Sequence, residues 1–286
     1  MGLRHRRARR RPRGPRTLSG QLAFGITAAV RNEHDRLGGE LERLGYAELW
    51  VNDTARGDGL ATLAAVAPGT RSLRFGVGVI ALSEQSPAQI AARITSAGLP
   101  PDRLTIGVGS GSSASLDLVR RGVADLRRER PDMSIAVAAV GPRMGHLAGE
   151  VADAVVANWA LPDRLALIRE RVAEGAAAAG RQPPRFVAYV RTAVGIDAGQ
   201  RLRDEMDRYH GYGAHYARAF DAQPDEPIGV AVESSDAGEV AAALAPYRSV
   251  ADTVVVRGLP ADDTVDAWLL VAASAAQGTI QNSRRR

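Results

Sequence analysis

The sequence predicts an α/β protein built as a (β/α)8 TIM barrel, and three observations carry the prediction. Eight short β-rich runs alternate with amphipathic helical stretches from Leu22 onward, at the roughly 30 residues per unit that such a barrel uses. Most of these runs are continuously apolar, as in Ile135-Ala-Val-Ala-Ala-Val140 and Val254-Val-Val256, which is the pattern of parallel strands covered by helices. A chain of 286 residues with 45% hydrophobic content can bury the core of one large α/β domain. The rival doubly wound open sheet needs fewer strands than eight.

Taken in order, the first strand is read at Leu22 to Ile26, followed by a helix from Glu33 to Leu44 whose apolar residues recur on one face. Ala47 to Val51 is the second strand and Leu60 to Ala67 its helix. Arg74 to Leu82 is the third, and Ser86 before Pro87 marks the start of the helix Pro87 to Ala97, with proline in the first turn. Leu104 to Gly109 leads into the helix Ser115 to Arg128, and Ser134 to Val140 into Met144 to Val151. Ala154 to Trp159 precedes a helix from Pro162 to Ala179, again opened by proline. Phe186 to Val194 is the seventh strand and Gln200 to Phe220 reads as one helix. Within Pro224 to Pro246, Ile228 to Val232 reads either as a short extra strand or as a turn of helix inside a long seventh connection. Thr253 to Val256 is the eighth strand, with Asp262 to Ala275 behind it. No interdomain linker and no long-period repeat is visible, so residues 21–278 are expected to form one barrel domain between tails at 1–20 and 279–286.

Charge is distributed unevenly. All 37 cations are arginine; eight lie in the first sixteen residues and three close the chain, leaving 26 cations against 32 acids in the body between. The folded part is therefore acidic. An Arg-rich, Pro-broken start cannot bury apolar surface and is expected to be disordered. It reads as a solvated extension ahead of the domain or as an arm for nucleic acid, which arginines bind by releasing phosphate counterions. The twin arginines precede Pro-Arg-Gly-Pro-Arg rather than an apolar stretch, so no secretory signal is read, and a cytoplasmic location is the expectation. With no cysteine, disulfides, thiolate metal sites and a cysteine nucleophile are excluded.

In a barrel of this kind the chemistry sits at the carboxyl ends of the strands. The residues there are Asn52 and Asp53; Ala81 and Leu82, with Ser83, Glu84 and Gln85; Gly109 and Ser110 within Gly107-Val-Gly-Ser-Gly111; Val140, Gly141, Pro142 and Arg143; Asn158 and Trp159; Arg191 and Thr192; and Arg257 and Gly258. The glycines let backbone approach a flat or anionic ligand, or simply close a turn. Their spacing lacks the G-x-G-x-x-G of a dinucleotide fold, and Gly109-Ser-Gly111 resembles a nucleophile elbow only superficially. His34, His146, His210 and His215 fall on helices or helix starts with no partner at metal-ligand spacing, so no metal is expected. Gly141-Pro-Arg143 opens a helix whose dipole faces the mouth. Asn158-Trp159 offers an amide and an aromatic plane, or a tryptophan that caps the core. Arg191 and Arg257 place guanidiniums in or beside the mouth, or in surface salt bridges. In Tyr209-His-Gly-Tyr-Gly-Ala-His-Tyr216, helical spacing puts Tyr209, Tyr212 and Tyr216 on one face. That face reads as a packing stripe or subunit contact, or as a lid over the substrate with Tyr212 or His215 as hydrogen-bond donor.

Glu42-Arg-Leu-Gly-Tyr-Ala-Glu-Leu-Trp-Val-Asn-Asp53, Phe75-Gly-Val-Gly-Val-Ile-Ala-Leu82 with Ser86-Pro87, Asp102-Arg-Leu-Thr-Ile-Gly-Val-Gly-Ser-Gly111, and Val140-Gly-Pro-Arg-Met144 through Leu147-Ala-Gly-Glu-Val-Ala-Asp153 to Asn158-Trp159 stand in one order along the chain. Together they resemble the bacterial luciferase-like superfamily of flavin- or deazaflavin-dependent oxidoreductases, over about Leu22 to Ala275. The resemblance implies a barrel that holds an isoalloxazine or deazaflavin ring across the strand ends. By position the ring's neighbours are Asn52 or Asp53, Ala81, Leu82, Gly109, Ser110, Val140, Gly141, Pro142, Asn158 and Trp159. It also implies a homodimer, and a non-prolyl cis peptide near Ile80 to Ser83. Two departures stand out: the connections are short except after the seventh strand, and Ser96-Ala-Gly-Leu-Pro-Pro-Asp-Arg103 replaces the family's Leu-Ser-x-Gly-Arg.

The expected function is hydride transfer between coenzyme F420, an 8-hydroxy-5-deazaflavin, and a small organic substrate, because the cofactor carries the electrons and the protein need supply only position, polarity and water exclusion. The all-arginine, Actinobacteria-like composition favours F420 over FMN. An FMN-dependent monooxygenase or flavin reductase is the alternative, and a non-catalytic flavin- or partner-binding barrel a further one. No individual catalytic residue is singled out; Tyr212, His215 and Arg191 are the candidates for substrate contact.

Overall fold

The apolar runs become strands that close on themselves. The structure, a computed structural model, describes residues 20–29 and 33–283, with side chains described as far as residue 276. The arginine-rich segment of residues 1–16 and Arg284 to Arg286 lie outside the described residues.

The strands are β1 (Gln21–Ile26), β2 (Glu48–Val51), β3 (Arg74–Ala81), β4 (Leu104–Gly109), β5 (Ser134–Ala139), β6 (Ala154–Asn158), β7 (Arg185–Val194), β8 (Val230–Val232) and β9 (Thr253–Gly258). All pairings between them are parallel. β1 to β7 follow in sequence order and β9 closes the ring between β7 and β1, so the barrel has eight strands. β8 is outside that ring: it pairs with Thr192 to Val194 at the carboxyl end of β7, beyond Tyr189 where pairing with β6 stops. The short-strand reading of Ile228 to Val232 is thus the one the backbone adopts.

The helices are α1 (His34–Arg43), α2 (Gly59–Val66), α3 (Pro87–Ala97), α4 (Leu116–Glu129), α5 (Pro142–Val151), α6 (Pro162–Ala178), α7 (Ala198–His210), α8 (Ala214–Asp221), α9 (Ala237–Val250) and α10 (Val265–Ser283). Their starts follow from capping chemistry. Ser86 and Gln89 form a reciprocal capping box ahead of Pro87, and Asp58, Ser115 and Asp236 each accept a backbone N–H at the third helical position.

Two expectations are corrected here. The helix read from Gln200 to Phe220 is two helices, because Gly213 takes φ 138°, a conformation open in practice only to glycine, and the chain turns between Gly211 and Gly213. The stretch Pro224 to Pro246 also contains most of α9, whose alanine-rich run with an internal Pro246 obscures the helical period.

Two apolar layers result. Leu, Ile and Val side chains from the outer strand faces pack under the helices, while Ala23, Trp50, Ala136, Ala154, Val156, Val187, Tyr189 and Val255 form a separate cluster inside the barrel. Trp50 fills much of that interior: a Cβ at Gly76 would lie 2.2 Å from its indole. Glu48 closes the barrel's lower end. It is 2% exposed, accepts the Trp50 indole N–H at 2.8 Å, and is paired with Arg74 and Arg185 at the amino ends of β3 and β7. Burial alone would raise its pKa, but Arg185 and then Arg74 outweigh it and hold the carboxyl below its ordinary value.

Candidate active site

Side chains alternate along a strand, so the members of the inner cluster predict which residue each strand presents at the barrel mouth. Two residues beyond Ala23, Ala136, Val156, Tyr189 and Val255 come Gly25, Ala138, Asn158, Arg191 and Arg257, joined by Gly78 and Gly109 on β3 and β4. The mouth is therefore uneven. On β1, β3, β4 and β5 it carries glycine or alanine; on β6, β7 and β9 it carries an amide and two guanidiniums. Gly78 faces the aromatic interior, where an added Cβ would stand 3.3 Å from Trp50 and 3.4 Å from the Tyr189 hydroxyl. A cis peptide joins Gly78 to Val79, and the β3–β4 register shifts between Val77 and Ile80. The expected non-prolyl cis bond is present, but it lies before Ile80 rather than between Ile80 and Ser83.

Opposite the glycines stands a group of aromatic and charged side chains. Trp159 leaves β6 with φ 53° and is 1% exposed. Its ring lies 4.9 Å from Tyr209 and 5.1 Å from Phe220, so α7 and α8 cover this side of the mouth. The Arg191 guanidinium stacks 4.1 Å above Trp159 and 4.8 Å from Tyr209, and its Nη1 donates to Asn158 Oδ1. Arg191 and Arg257 are each 3% exposed, which excludes the surface salt bridges that were one reading of them. Several polar atoms here are buried without a hydrogen-bond partner: Trp159 Nε1, Tyr189 Oη, Arg191 Nε and Glu205 Oε1, with Arg164 Nε near the end of β5. Buried polar groups are normally satisfied, so unmet ones at a strand-end mouth are what a polar ligand would complete.

The sequence-derived candidates separate into groups. Asn52 is half-buried, with its Oδ1 accepting the Ala28 N–H at 2.9 Å, which ties the β1 loop to β2. Asp53 is engaged inside the protein. Its two oxygens take the Arg93 guanidinium at 2.9 and 3.0 Å, and Oδ1 also accepts the Gly59 N–H at 2.8 Å. Leu82 directs its side chain away from the mouth, filling the space a Cβ at Gly122 of α4 would need, while Ala81 is half-buried at the end of β3. Gly109 is buried at the mouth beside Val79 and Ala138, and Ser110 starts the turn after it. Val140 is half-buried, Gly141 caps α5 in an extended conformation and Pro142 is its first residue. Arg164 reaches to 3.8 Å from where a Gly141 Cβ would lie.

Tyr209, Tyr212 and Tyr216 do meet, at 5.0 and 5.3 Å between rings, although across a helix break rather than along one helix face. Tyr212 is nevertheless 59% exposed. Burial pushes the Tyr216 hydroxyl up to about 12. His215 is half-buried; burial and then the Arg218 charge hold its pKa below the ordinary imidazole value, so it is neutral at pH 7. Sequence reasoning passed over Tyr189, Glu205, Arg93 and Arg164. For Tyr189 a signal was present, because it precedes Arg191 by the two-residue period of one strand face.

Among the described residues, no three His, Asp or Glu side chains are grouped to hold a metal, and no helix is long and apolar enough to cross a membrane.

Comparison with known proteins gives the family to which this closed parallel barrel belongs. The chain belongs to the luciferase-like monooxygenase family, whose model matches residues 14–133 and 117–256. It is similar to a 5,10-methylenetetrahydromethanopterin reductase of Methanolobus tindarius, 26% identical over an alignment of 197 residues, with 56% of this chain and 60% of the relative covered. The chain thus matches about three-fifths of that relative's length. Among solved structures it is similar to an F420-dependent secondary alcohol dehydrogenase in complex with an F420-acetone adduct, at a TM-score of 0.68 and 14% identity, covering 89% of this chain and 99% of the other. A second is the oxygenating constituent of the 3,6-diketocamphane monooxygenase of Pseudomonas putida in complex with FMN, at a TM-score of 0.62 and 14% identity, covering 90% and 97%. At such identities the structural likeness carries the fold, and the relatives differ in cofactor.

Proposed function

We propose that this protein holds a deazaflavin ring, coenzyme F420, across the mouth of its barrel and passes hydride between that ring and a small organic substrate. The observation that carries the reading is the division of the mouth into a glycine and alanine side, where backbone rather than long side chains would meet a flat ring, and a side of buried polar atoms without hydrogen-bond partners. When bound, the cofactor supplies the hydride donor or acceptor; the chain supplies position, polarity and exclusion of water. Gly78, Gly109 and Ser110 would lie against the ring, with Asn52, Ala81, Val140 and Asn158 around it. In this arrangement Asp53 fixes the loop after β2 through Arg93, Leu82 anchors the end of β3 on α4, and neither needs to touch the ring. Gly141 and Pro142 at the start of α5, with Arg164 beside them, suit an anionic tail on the cofactor. Trp159, Tyr209 and Phe220 close the opposite side against water, and Tyr212, His215 and Arg191 are left to contact substrate.

FMN is the competing cofactor, since relatives of the same fold carry it, and it would make oxygen chemistry available. The distinguishing experiment is a titration of the purified protein with coenzyme F420 and with FMN, followed by absorbance and fluorescence. Micromolar binding of F420 with much weaker binding of FMN is the expected result. A preference for FMN makes a monooxygenase or flavin reductase the better reading, and binding of neither overturns the cofactor enzyme in favour of a partner-binding barrel.

A further inference from the structure

Arg191 and Arg257 are register partners, directly opposite one another on β7 and β9. Like charges facing each other across a ladder repel, and burial removes the water that would screen them. Both side chains are 3% exposed. Burial first, and then the Arg191 charge, hold the Arg257 pKa below the ordinary arginine value.

The surroundings do not balance this charge. Asn158 Oδ1 accepts from Arg191 and the Gly258 carbonyl from Arg257, but both acceptors are neutral. Trp159, Tyr209 and Trp268 offer ring faces, which attract a cation without neutralising it. The carboxylate beside the pair is Glu205, and it is shared. Its Oε2 takes Arg208, and its Oε1 stands 3.9 Å from Arg191 Nε, with neither of those two atoms hydrogen-bonded. The Tyr189 hydroxyl, buried and equally unpartnered, lies two residues before Arg191 on the same strand face. Among the described residues, two buried guanidiniums and a free phenol are set against part of one carboxylate, a site that calls for an anion.

We propose that Arg191, Arg257 and Tyr189 form a subsite for an oxyanion on the substrate, a carboxylate or a phosphate monoester. Its assignment to a substrate, rather than to any anion, rests on the ring-binding reading above. The other source of such a group is the cofactor's own phosphate, for which Gly141, Pro142 and Arg164 already offer a separate place across the mouth.

The test is thermal unfolding of the full-length protein in chloride buffer at fixed ionic strength, titrated with inorganic phosphate and separately with malonate. A ligand that binds only the folded state raises the melting temperature as its concentration rises. The parent is expected to respond to at least one of the two anions. Arg191→Met and Arg257→Met should each weaken that response by about tenfold or more in concentration, since a charge-assisted contact is lost, whereas Arg171→Met, which removes an exposed arginine of α6 paired with Glu174, should keep it. If a methionine variant does not fold, Arg257→Lys, which keeps the charge but loses the planar fork, should show the weaker response. No response in the parent, or an undiminished one in the arginine variants, overturns the subsite. The titration is then repeated with saturating F420 or FMN. A response that persists supports a substrate subsite, and one abolished by cofactor overturns that assignment in favour of the cofactor's phosphate. An arginine-dependent response in a protein that binds neither cofactor leaves the anion subsite standing and sinks the cofactor reading; cofactor binding without an anion response does the reverse.

Discussion

Glu42, near the end of α1, accepts the backbone N–H groups of Arg71, Ser72 and Leu73 together with the Ser72 hydroxyl, and so pins the segment that feeds β3. Burial works to raise its pKa, but these donors outweigh it and bring the carboxyl down from 4.5 to about 2. A carboxylate whose pKa is lower in the folded state stabilises the fold above its unfolded pKa and loses that contribution as pH falls through the folded one. Glu42→Gln should therefore be less stable than the parent at pH 7, with the gap closing between pH 4.5 and about 2. Urea unfolding across that range checks it; a gap independent of pH would show that the carboxylate charge is not what holds the loop. The sequence gives no sign of this role, because the three donors lie some thirty residues downstream and no helical period marks the contact. Asp53 is the reverse case: visible at a strand end as a candidate ligand, it is turned inward by Arg93 forty residues away. A strand-end position says that a residue is at the mouth, not that its charge is free.

Among the elements, α7 and α8 determine what covers the mouth. One continuous helix would present Tyr209, Tyr212 and Tyr216 as a stripe; the turn at Gly213 folds α8 back so that Phe220 also reaches Trp159. Gly213 takes φ 138° and ψ 163°, a region closed to side chains, so Gly213→Ala should cost about 1–3 kcal/mol in urea unfolding. Gly211, two residues earlier, has φ −74°, and Gly211→Ala should be neutral or stabilising by about 0.5 kcal/mol, since alanine narrows the unfolded ensemble at no conformational cost. Equal losses at both positions would mean that the cover depends on small size rather than on the backbone turn. The other helices were largely legible, since proline announced α3 and α6, with the capping residue Ser86 ahead of the first. The α7–α8 break was not, because two glycines in a polar, amphipathic run lower helix propensity without stating whether the helix bends, ends or continues.

For the whole molecule, the separation of charge is the feature composition makes visible. Removing residues 1–16 deletes eight arginines and takes the formal charge from +5 to −3. The shortened protein should pass from cation- to anion-exchange resin at neutral pH. Any salt-sensitive binding to nucleic acid should go with the segment, while titration with F420 and FMN should be unchanged, because every residue assigned to the mouth lies at or beyond Gly25. Nucleic-acid affinity surviving the deletion would assign it to the barrel, and a cofactor affinity altered by the deletion would bring the segment to the site.

The sequence by itself determined the barrel. Eight apolar runs and their helices are local patterns, each readable from the spacing of a few residues, and parallel strands joined by short crossovers leave little freedom in how they assemble. It also placed Asn158, Arg191 and Arg257 toward the carboxyl ends of their strands, since those ends follow from strand direction alone. The tertiary structure decided the character of the site: that Arg191 faces Arg257 in the dark of the barrel, that Asp53 is spent on Arg93, and that Leu82 looks outward to α4. Each of these depends on register and packing between segments far apart in the chain, where one residue's shift reverses inside and outside. Local spacing carries no record of which distant partner a side chain will meet.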